Sequence, residues 1–269
     1  PKSGNTWVRV FLNSLFYTKN NDSDINNLTI GQFPNRKHFE NITKNIDDIN
    51  EFSKNCINAQ LKLNLSNETR FLKTHHAYWQ NEKYKFTDVQ TTLGVIYIVR
   101  DPRNVITSLK NHFNFDNYNE ALKFLLDDRK VIGIKNSKRE ADLPHIISSW
   151  KNHFNSWKKM SKNYLLIKYE NLINSPEIEF QKITNYLEKL LNKKFEKKKF
   201  LDAIKKSNFD NLKKKEKANG FIEAPISLSQ SNLFFNMGPK NDWRKLLDKE
   251  ISEQIERKFK AEMLELNYL

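Results

Sequence analysis

The first seven residues place a lysine, a glycine and two hydroxyls directly before a run of apolar residues. The apolar positions after Trp7 are spaced as on one face of a helix. Free N–H groups and the dipole at a helix N-terminus attract anions, Lys2 adds a point charge, and Ser3 and Thr6 add hydroxyl donors. The glycine–lysine spacing of nucleotide hydrolases is absent, and no strand ends in the acidic residue that holds Mg²⁺. The loop therefore predicts a site for a phosphate-like group without a metal.

Two further polar segments follow predicted strands. Residues 93–99 form an unbroken β-branched and aromatic run, which is typical of a strand covered on both faces, and Arg100 follows it directly. Residues 70–75 read as a shorter strand that ends in Lys73-Thr74-His75. Ligands of open α/β sheets bind beyond the carboxyl ends of the strands. We therefore expect both segments at the ligand-binding edge with the N-terminal loop.

Helices must alternate with these strands to bring the three segments to one edge. Asp101 at an N-cap and Pro102 at the first helical position predict a helix through Phe113. Apolar spacing predicts a further strand at 164–169 and helices at 46–63, 118–129, 144–160, 176–191, 195–206 and 248–267. This alternation predicts an α/β fold with a mainly parallel central sheet, in a single domain over residues 1–269.

The composition narrows the class of protein. The chain has 269 residues, with 46 Lys+Arg against 32 Asp+Glu, so its formal net charge of +14 indicates an anionic partner. Its one cysteine excludes a disulfide framework and a cysteine-based metal site, and the histidines show no metal-ligand spacing. No stretch approaches the roughly 18 apolar residues of a membrane helix. We expect a cytoplasmic protein with no metal and no membrane span.

Five motifs, in order along the chain, resemble those of the sulfotransferases that use 3′-phosphoadenylyl sulfate (PAPS). They are residues 1–7, Lys73-Thr74-His75, residues 97–108, residues 166–172, and Gly238 followed by Asp242-Trp243. The resemblance spans nearly the whole chain and implies a P-loop-type, three-layer αβα fold. It also implies transfer of a sulfuryl group from PAPS to a hydroxyl or amine of a small-molecule or saccharide acceptor, with adenosine 3′,5′-bisphosphate (PAP) as product and no nucleic-acid partner.

The resemblance further implies which residues bind the nucleotide. Lys2 is expected to stabilise charge on the leaving phosphate, and Trp7 to stack on the adenine. Arg100 and Ser108 are expected to hold the 3′-phosphate, the arginine through its bidentate fork. The remaining residues of the implied cofactor-binding set are Ser3, Gly4, Asn5, Thr6, Tyr169, Ser207, Phe209 and Gly238.

On the acceptor side, the resemblance implies that His75 is the general base. An imidazole with an ordinary pKa of about 6.5 accepts a proton at neutral pH. Lys73 lies two residues earlier on the strand and points to the same face, so it is expected to assist with developing charge. His153 is a weaker candidate for acceptor binding, and His76 is interpreted as a bystander.

The sequence departs from the family pattern in three places, the last of which is the dimerisation segment that follows the tryptophan of the Asp242-Trp243 motif in many members and that residues 244–253 do not reproduce. Asn236-Met237 stands where the family usually has a basic pair before the glycine, and Lys240 is the nearest replacement in sequence. The strand that normally precedes the phosphosulfate loop is missing, so we expect an N-terminal truncation at Pro1. The first departure leaves donor affinity, and even the choice of PAPS, open.

Three other functions stay open from sequence. A P-loop kinase for a small molecule conflicts with the missing Mg²⁺ carboxylate, and a basic nucleic-acid-binding module lacks any recognisable motif. A catalytically impaired relative is compatible with the departures. The acceptor itself is not specified, although segments 18–67 and 118–143 are expected to form its pocket, and neither is the oligomeric state.

Overall fold

The computed structural model describes residues 1–18, 24–66, 68–81, 83–133, 143–224 and 233–269. The helices are α1 (Asn5–Phe16), α2 (Ile49–Asn64), α3 (Pro102–Phe113), α4 (Tyr118–Leu126), α5 (Trp150–Trp157), α6 (Tyr169–Asn174), α7 (Pro176–Leu191), α8 (Lys197–Ser207), α9 (Phe209–Asn219), α10 (Trp243–Leu246), α11 (Lys249–Lys258) and α12 (Lys260–Glu265). The strands are β1 (Gly31–Gln32), β2 (Leu72–Lys73), β3 (Gln80–Asn81), β4 (Tyr84–Lys85), β5 (Val95–Val99), β6 (Val131–Ile132), β7 (His145–Ile146) and β8 (Tyr164–Lys168). Three 3₁₀ turns cover Arg36–Phe39, Lys158–Asn163 and Gly238–Lys240.

These elements form two compact units. The first consists of Pro1–Thr29, Ile98–Leu126 and Leu166–Leu269, and the second of Ile30–Tyr97 and Asp127–Leu165. Strands pair two by two: β1 with β2 in parallel, β3 with β4 and β6 with β7 antiparallel, and β5 with β8. Parts of the expected acceptor segments, at 19–23, 67 and 134–142, lie outside the described residues.

Helix α1 lies in the core of the first unit and holds the N-terminal loop in place. Its residues Phe11 and Leu15 are fully buried, as their spacing predicts. Phe11 stacks on Phe180 of α7, with the ring centroids 4.0 Å apart, and meets Phe200 of α8 edge-on. Burial of each large apolar side chain contributes about 1.5–3 kcal/mol. The N-terminal loop is therefore attached to a helix that is firmly packed in the core.

Helix α3 begins as its sequence predicts. The side chain of Asp101 accepts a hydrogen bond from the backbone N–H of Arg103, and Pro102 occupies the first helical position. The Asp101 carboxylate also pairs with the Arg103 guanidinium at 2.8 Å, which in turn contacts Glu256 of α11 and the carbonyl of Tyr268. Because this network ties the start of α3 to the C-terminal helices, the end of β5 is held firmly.

An aromatic core organises the second unit. It contains Phe33, Phe39, Phe52, Phe86 and Trp157, all buried. In the parallel pair β1–β2, residue 31 is opposite residue 72 and residue 32 is opposite residue 73. The core and this short pair together support the Lys73–His75 segment.

Several predicted elements differ from the structure. The helix expected at 144–160 is wrong at its start, because residues 145–146 form β7 and Ser149 caps the shorter helix α5 by accepting from the Asn152 N–H. The helix expected at 248–267 breaks at Phe259, and the strand expected at 70–75 is reduced to two residues. The predicted helix at 176–191 matches α7 at both ends. Helix α9, which is rich in lysine and carries a weak apolar pattern, was not predicted.

In the parts of the chain that the structure covers, no helix combines the length and the apolar character that crossing a bilayer requires.

Candidate functional site

The N-terminal loop turns sharply at Gly4 because a side chain would not fit there. Gly4 has a φ of 97° and lies at the N-cap of α1. A Cβ atom at this position would lie 2.6 Å from Cδ2 of the Tyr169 ring, so only glycine combines this backbone with this contact. Tyr169, the first residue of α6, is buried. Two residues predicted from the resemblance are thus in direct contact.

Lys2 is half-buried and presents its ammonium to the same region. Its Nζ lies 4.0 Å from the centroid of the Phe234 ring, and in the described part of the chain it has neither a hydrogen bond nor an ion pair. Burial, and after it the charge of Arg100, lower the pKa of Lys2 to about 7, whereas Glu216 acts in the opposite direction. A partly buried ammonium without an ion pair in the described residues fits an anionic ligand.

Arg100 joins the loop to the end of β5. The guanidinium is buried, its Nη1 donates to the carbonyl of Lys2 at 3.0 Å, and it lies 4.3 Å from the Tyr169 ring centroid. Burial lowers the pKa of Arg100, and the neighbouring acidic groups oppose that effect; an arginine keeps its charge in either case. The structure therefore brings Lys2, Gly4, Arg100 and Tyr169 together.

Trp7 lies on the first turn of α1 among other aromatic rings. Its ring meets Tyr169 and Phe180 edge-on, with centroids 6.1 Å and 5.9 Å away. The indole Nε1 is buried, and no hydrogen-bond acceptor for it is present among the described residues. Because a buried donor without an acceptor is costly, this nitrogen marks a place where a polar ligand atom would be stabilised.

Phe209 and Gly238 are also brought together. A Cβ on Gly238 would lie 2.3 Å from the Phe209 ring, and the glycine φ is 51°. Lys213 of α9 donates to the carbonyl of Asn236 at 2.6 Å, so a lysine from another helix reaches the segment that lacks the family's basic pair. Lys240, the replacement suggested by sequence, is exposed.

For the remaining residues predicted to bind the nucleotide, the structure gives burial and local hydrogen bonds. The Ser3 hydroxyl donates to the Pro1 carbonyl at 3.4 Å, and Asn5 and Thr6 lie half-buried on the first turn of α1. Ser108 is half-buried on α3. Ser207 is fully buried and donates to the carbonyl of Ile204 on its own helix. Its hydroxyl is therefore engaged within α8.

The second unit holds the predicted general base. His75 is half-buried just after β2, and burial, with the charge of Lys73 adding to it, lowers its pKa well below the ordinary value. Its imidazole is neutral at physiological pH, which leaves a ring nitrogen able to accept a proton. Lys73 lies on β2, and its carbonyl accepts from the N–H of Phe33.

His153 contacts the backbone of His75, whereas His76 makes its hydrogen bonds within the core. His153 of α5 contacts the hydroxyl of Tyr97 at 2.9 Å and, through Nε2, the carbonyl of His75 at 3.3 Å. Burial lowers the pKa of His153 to about 3, so it too is neutral. His76 is fully buried, and its Nδ1 accepts from the Trp79 indole and the Ile146 N–H. These contacts give His76 a structural place in the core.

Sequence reasoning missed three residues at these sites. Glu216 and Phe234 surround Lys2, and His145 lies 6.0 Å from His75, measured between ring centroids. His145 is buried and its Nε2 contacts Gln32 at 2.7 Å. Glu216 is the one acid in a run of lysines, which was the available signal; nothing local distinguished the other two.

Comparison with known families and curated proteins gives the following matches. The model of the sulfotransferase domain family matches residues 1–267. Sulfotransferase 2A1 of Macaca fascicularis is 25% identical over 174 residues, which cover 64% of this chain and 57% of that protein. Sulfotransferase 1 family member D1 of Mus musculus is 23% identical over 266 residues, covering 91% and 74%. The match to the macaque protein thus spans little more than half of its length.

Solved structures with a similar fold include two complexes with PAP. Mouse sulfotransferase SULT7A1 complexed with PAP has a TM-score of 0.60 at 18% identity, and the match covers 98% of this chain and 81% of that one. Retinol dehydratase with androsterone and PAP has a TM-score of 0.59 at 17% identity, covering 97% and 78%. These likenesses confirm the predicted α/β fold of the P-loop type.

Proposed function

The chain belongs to the sulfotransferase family, and from that premise we propose that it transfers a sulfuryl group from PAPS to a hydroxyl or amine of an acceptor. The observation that best supports the donor is the half-buried ammonium of Lys2, which has no hydrogen bond or ion pair in the described residues and lies next to the buried Arg100. Two neighbouring cations, one on the N-terminal loop and one at the end of β5, favour an anion that carries more than one charge. PAPS supplies such an anion together with an activated sulfuryl group.

The donor-side residues would each act on a different part of the nucleotide. Lys2 and the free N–H groups at the start of α1 would bind the phosphate that carries the sulfuryl group and stabilise charge that develops on it. Arg100 and Ser108 would bind the 3′-phosphate. Trp7 and Phe209 offer rings for the adenine, and Tyr169 holds the loop and Arg100 in register.

On the acceptor side, the proposed work of His75 is proton removal. Its neutral imidazole would accept the proton of the acceptor hydroxyl or amine as the nucleophile attacks, and Lys73 would counter negative charge that builds up nearby. His153 holds the backbone of His75 through its carbonyl and is therefore proposed to orient the base. No step in this scheme requires a metal.

The proposed acceptor is a small molecule or a saccharide, and the proposed location is the cytoplasm. Relatives support the first point only in general terms, because retinol dehydratase was solved with androsterone at an identity that shows the fold alone. A panel of phenols, alcohols, amines and sugars therefore has to identify the acceptor for this chain.

Calorimetric titration with PAP tests the donor. We expect Lys2→Ala and Arg100→Ala to weaken binding by about 10- to 100-fold, the loss of a hydrogen bond to a charged group. Lys197→Ala removes an exposed lysine of α8 and is the matched control, with unchanged affinity. Absence of PAP binding at tens of micromolar in the unmodified protein would contradict the donor.

Single-turnover transfer from labelled PAPS tests the base. His75→Ala should keep its PAP affinity and lose about 10²- to 10⁴-fold in rate. Unchanged turnover in that variant would remove the histidine from its role. Phosphoryl transfer from ATP that requires Mg²⁺ would instead favour the kinase.

A further inference from the structure

Glu216 is a buried carboxylate with an unusual pair of contacts. It lies on the last turns of α9, and its two oxygens each accept a backbone hydrogen bond, from the N–H of Phe234 at 2.6 Å and from that of Phe235 at 2.8 Å. Two charge-assisted bonds from consecutive N–H groups fix the position of this backbone segment. Glu216 therefore fixes the backbone from which the Phe234 side chain projects.

Phe234 in turn forms the surface on which the Lys2 ammonium rests. The Lys2 Nζ lies 4.0 Å from its ring centroid, within the range of a cation–π contact. The ring is itself held edge-on by Phe235, at a centroid distance of 5.2 Å, and by His112, at 5.8 Å. Glu216 of α9 is thus connected to Lys2 through the backbone of residues 234–235 and the Phe234 ring.

We infer that Glu216 is a positioning residue for Lys2, acting by holding Phe234 beneath the ammonium and by supplying negative charge to this cation. The inference rests on the proposed function for its consequence, namely that Lys2 binds the donor phosphate. The positioning itself rests on the contacts among Glu216, the backbone of Phe234 and Phe235, and Lys2.

The charges around Lys2 explain why Glu216 matters. Arg100 is positive, and His112 of α3 is driven to its neutral form by burial and by the charge of Lys2. Glu216 is the acidic group that raises the pKa of Lys2 against burial and Arg100. Removal of its charge lowers that pKa further, so that Lys2 loses its proton at a lower pH.

The variant Glu216→Gln tests this with the full chain. Lysine side-chain NMR follows the titration of Lys2, whose signal is assigned by its loss in Lys2→Arg. We expect the midpoint near pH 7 in the unmodified protein and a shift to lower pH in Glu216→Gln. Phe234→Leu keeps the carboxylate and removes the ring, so its Lys2 signal should move in chemical shift while the midpoint moves less.

An unchanged Lys2 midpoint in folded Glu216→Gln would overturn the inference, and thermal melting by circular dichroism establishes that the variant is folded. If Glu216→Gln does not fold, Glu216→Asp keeps the charge but retracts it, and an unchanged midpoint there contradicts the inference equally. The same variants titrated with PAP show the consequence: binding should weaken most at high pH. Because the NMR titration needs no ligand, failure of PAP binding would contradict the donor without affecting this result.

Discussion

Replacement of Gly4 by alanine tests whether the N-terminal loop and the Tyr169 ring are interlocked. At a φ of 97° an alanine pays about 1–2 kcal/mol for its left-handed backbone. Its Cβ would lie 2.6 Å from the ring, so the ring must move by about 0.8 Å to reach an ordinary contact of 3.4 Å. Overpacking of this kind costs about 1–3 kcal/mol. We expect Gly4→Ala to lower the free energy of unfolding by about 2–5 kcal/mol.

Two other glycines separate these contributions. Gly220 has a φ of 70° and nothing within 4 Å of a Cβ, so Gly220→Ala measures the backbone strain alone, about 1–3 kcal/mol. Gly31 has neither a positive φ nor a close neighbour, and Gly31→Ala should be neutral or slightly stabilising. Urea unfolding followed by tryptophan fluorescence gives the three free energies.

Displacement of the Tyr169 ring has a second consequence, because Arg100 lies 4.3 Å from that ring. We therefore expect Gly4→Ala to weaken PAP binding as well, whereas Gly220→Ala and Gly31→Ala keep the affinity of the unmodified protein. If Gly4→Ala loses no more free energy of unfolding than Gly220→Ala and binds PAP normally, the loop and the Tyr169 ring are not interlocked.

Two further predictions concern stability. Burial lowers the pKa of His145 to about 4 from its usual 6.5. The unfolded chain therefore takes up this proton at a higher pH than the folded chain does. For this reason the contribution of His145 to the free energy of unfolding is fully present above pH 6.5 and falls by about 3 kcal/mol as the pH approaches 4. His145→Asn should flatten this decline in urea unfolding between pH 7 and 4, and an unaltered decline would contradict it. Arg103→Met leaves Asp101 buried without its partner and should cost about 3–5 kcal/mol. Arg244→Met, at an exposed ion pair, should cost less than about 1 kcal/mol; equal losses would show that the buried pair adds nothing.

Much of the fold could be predicted because its signals are local. Asp101 and Pro102 specify the start of α3 through a side chain and a ring that act within two residues. Pro176 and the apolar spacing after it specify α7. The helix predicted at 144–160 was wrong at its start because the deciding contact is not local. Its apolar residues suit a helix, but pairing with β6 makes residues 145–146 a strand. Strand pairing depends on a partner that periodicity does not reveal.

The candidate site likewise has features that the sequence specifies locally and features that depend on tertiary contacts. The sequence by itself determined the types and the order of Lys2, Arg100, Tyr169 and His75, and hence the family, because a motif is a property of neighbouring residues. Only the tertiary structure decided that the Tyr169 ring occupies the space beside Gly4, that Phe209 covers Gly238, and that Glu216, the acid within the lysine run 213–217, accepts a hydrogen bond from the backbone of the residue whose ring Lys2 contacts. These contacts join residues that lie far apart along the chain, and burial, which alters the pKa values of Lys2 and His75, exists only once the chain has folded.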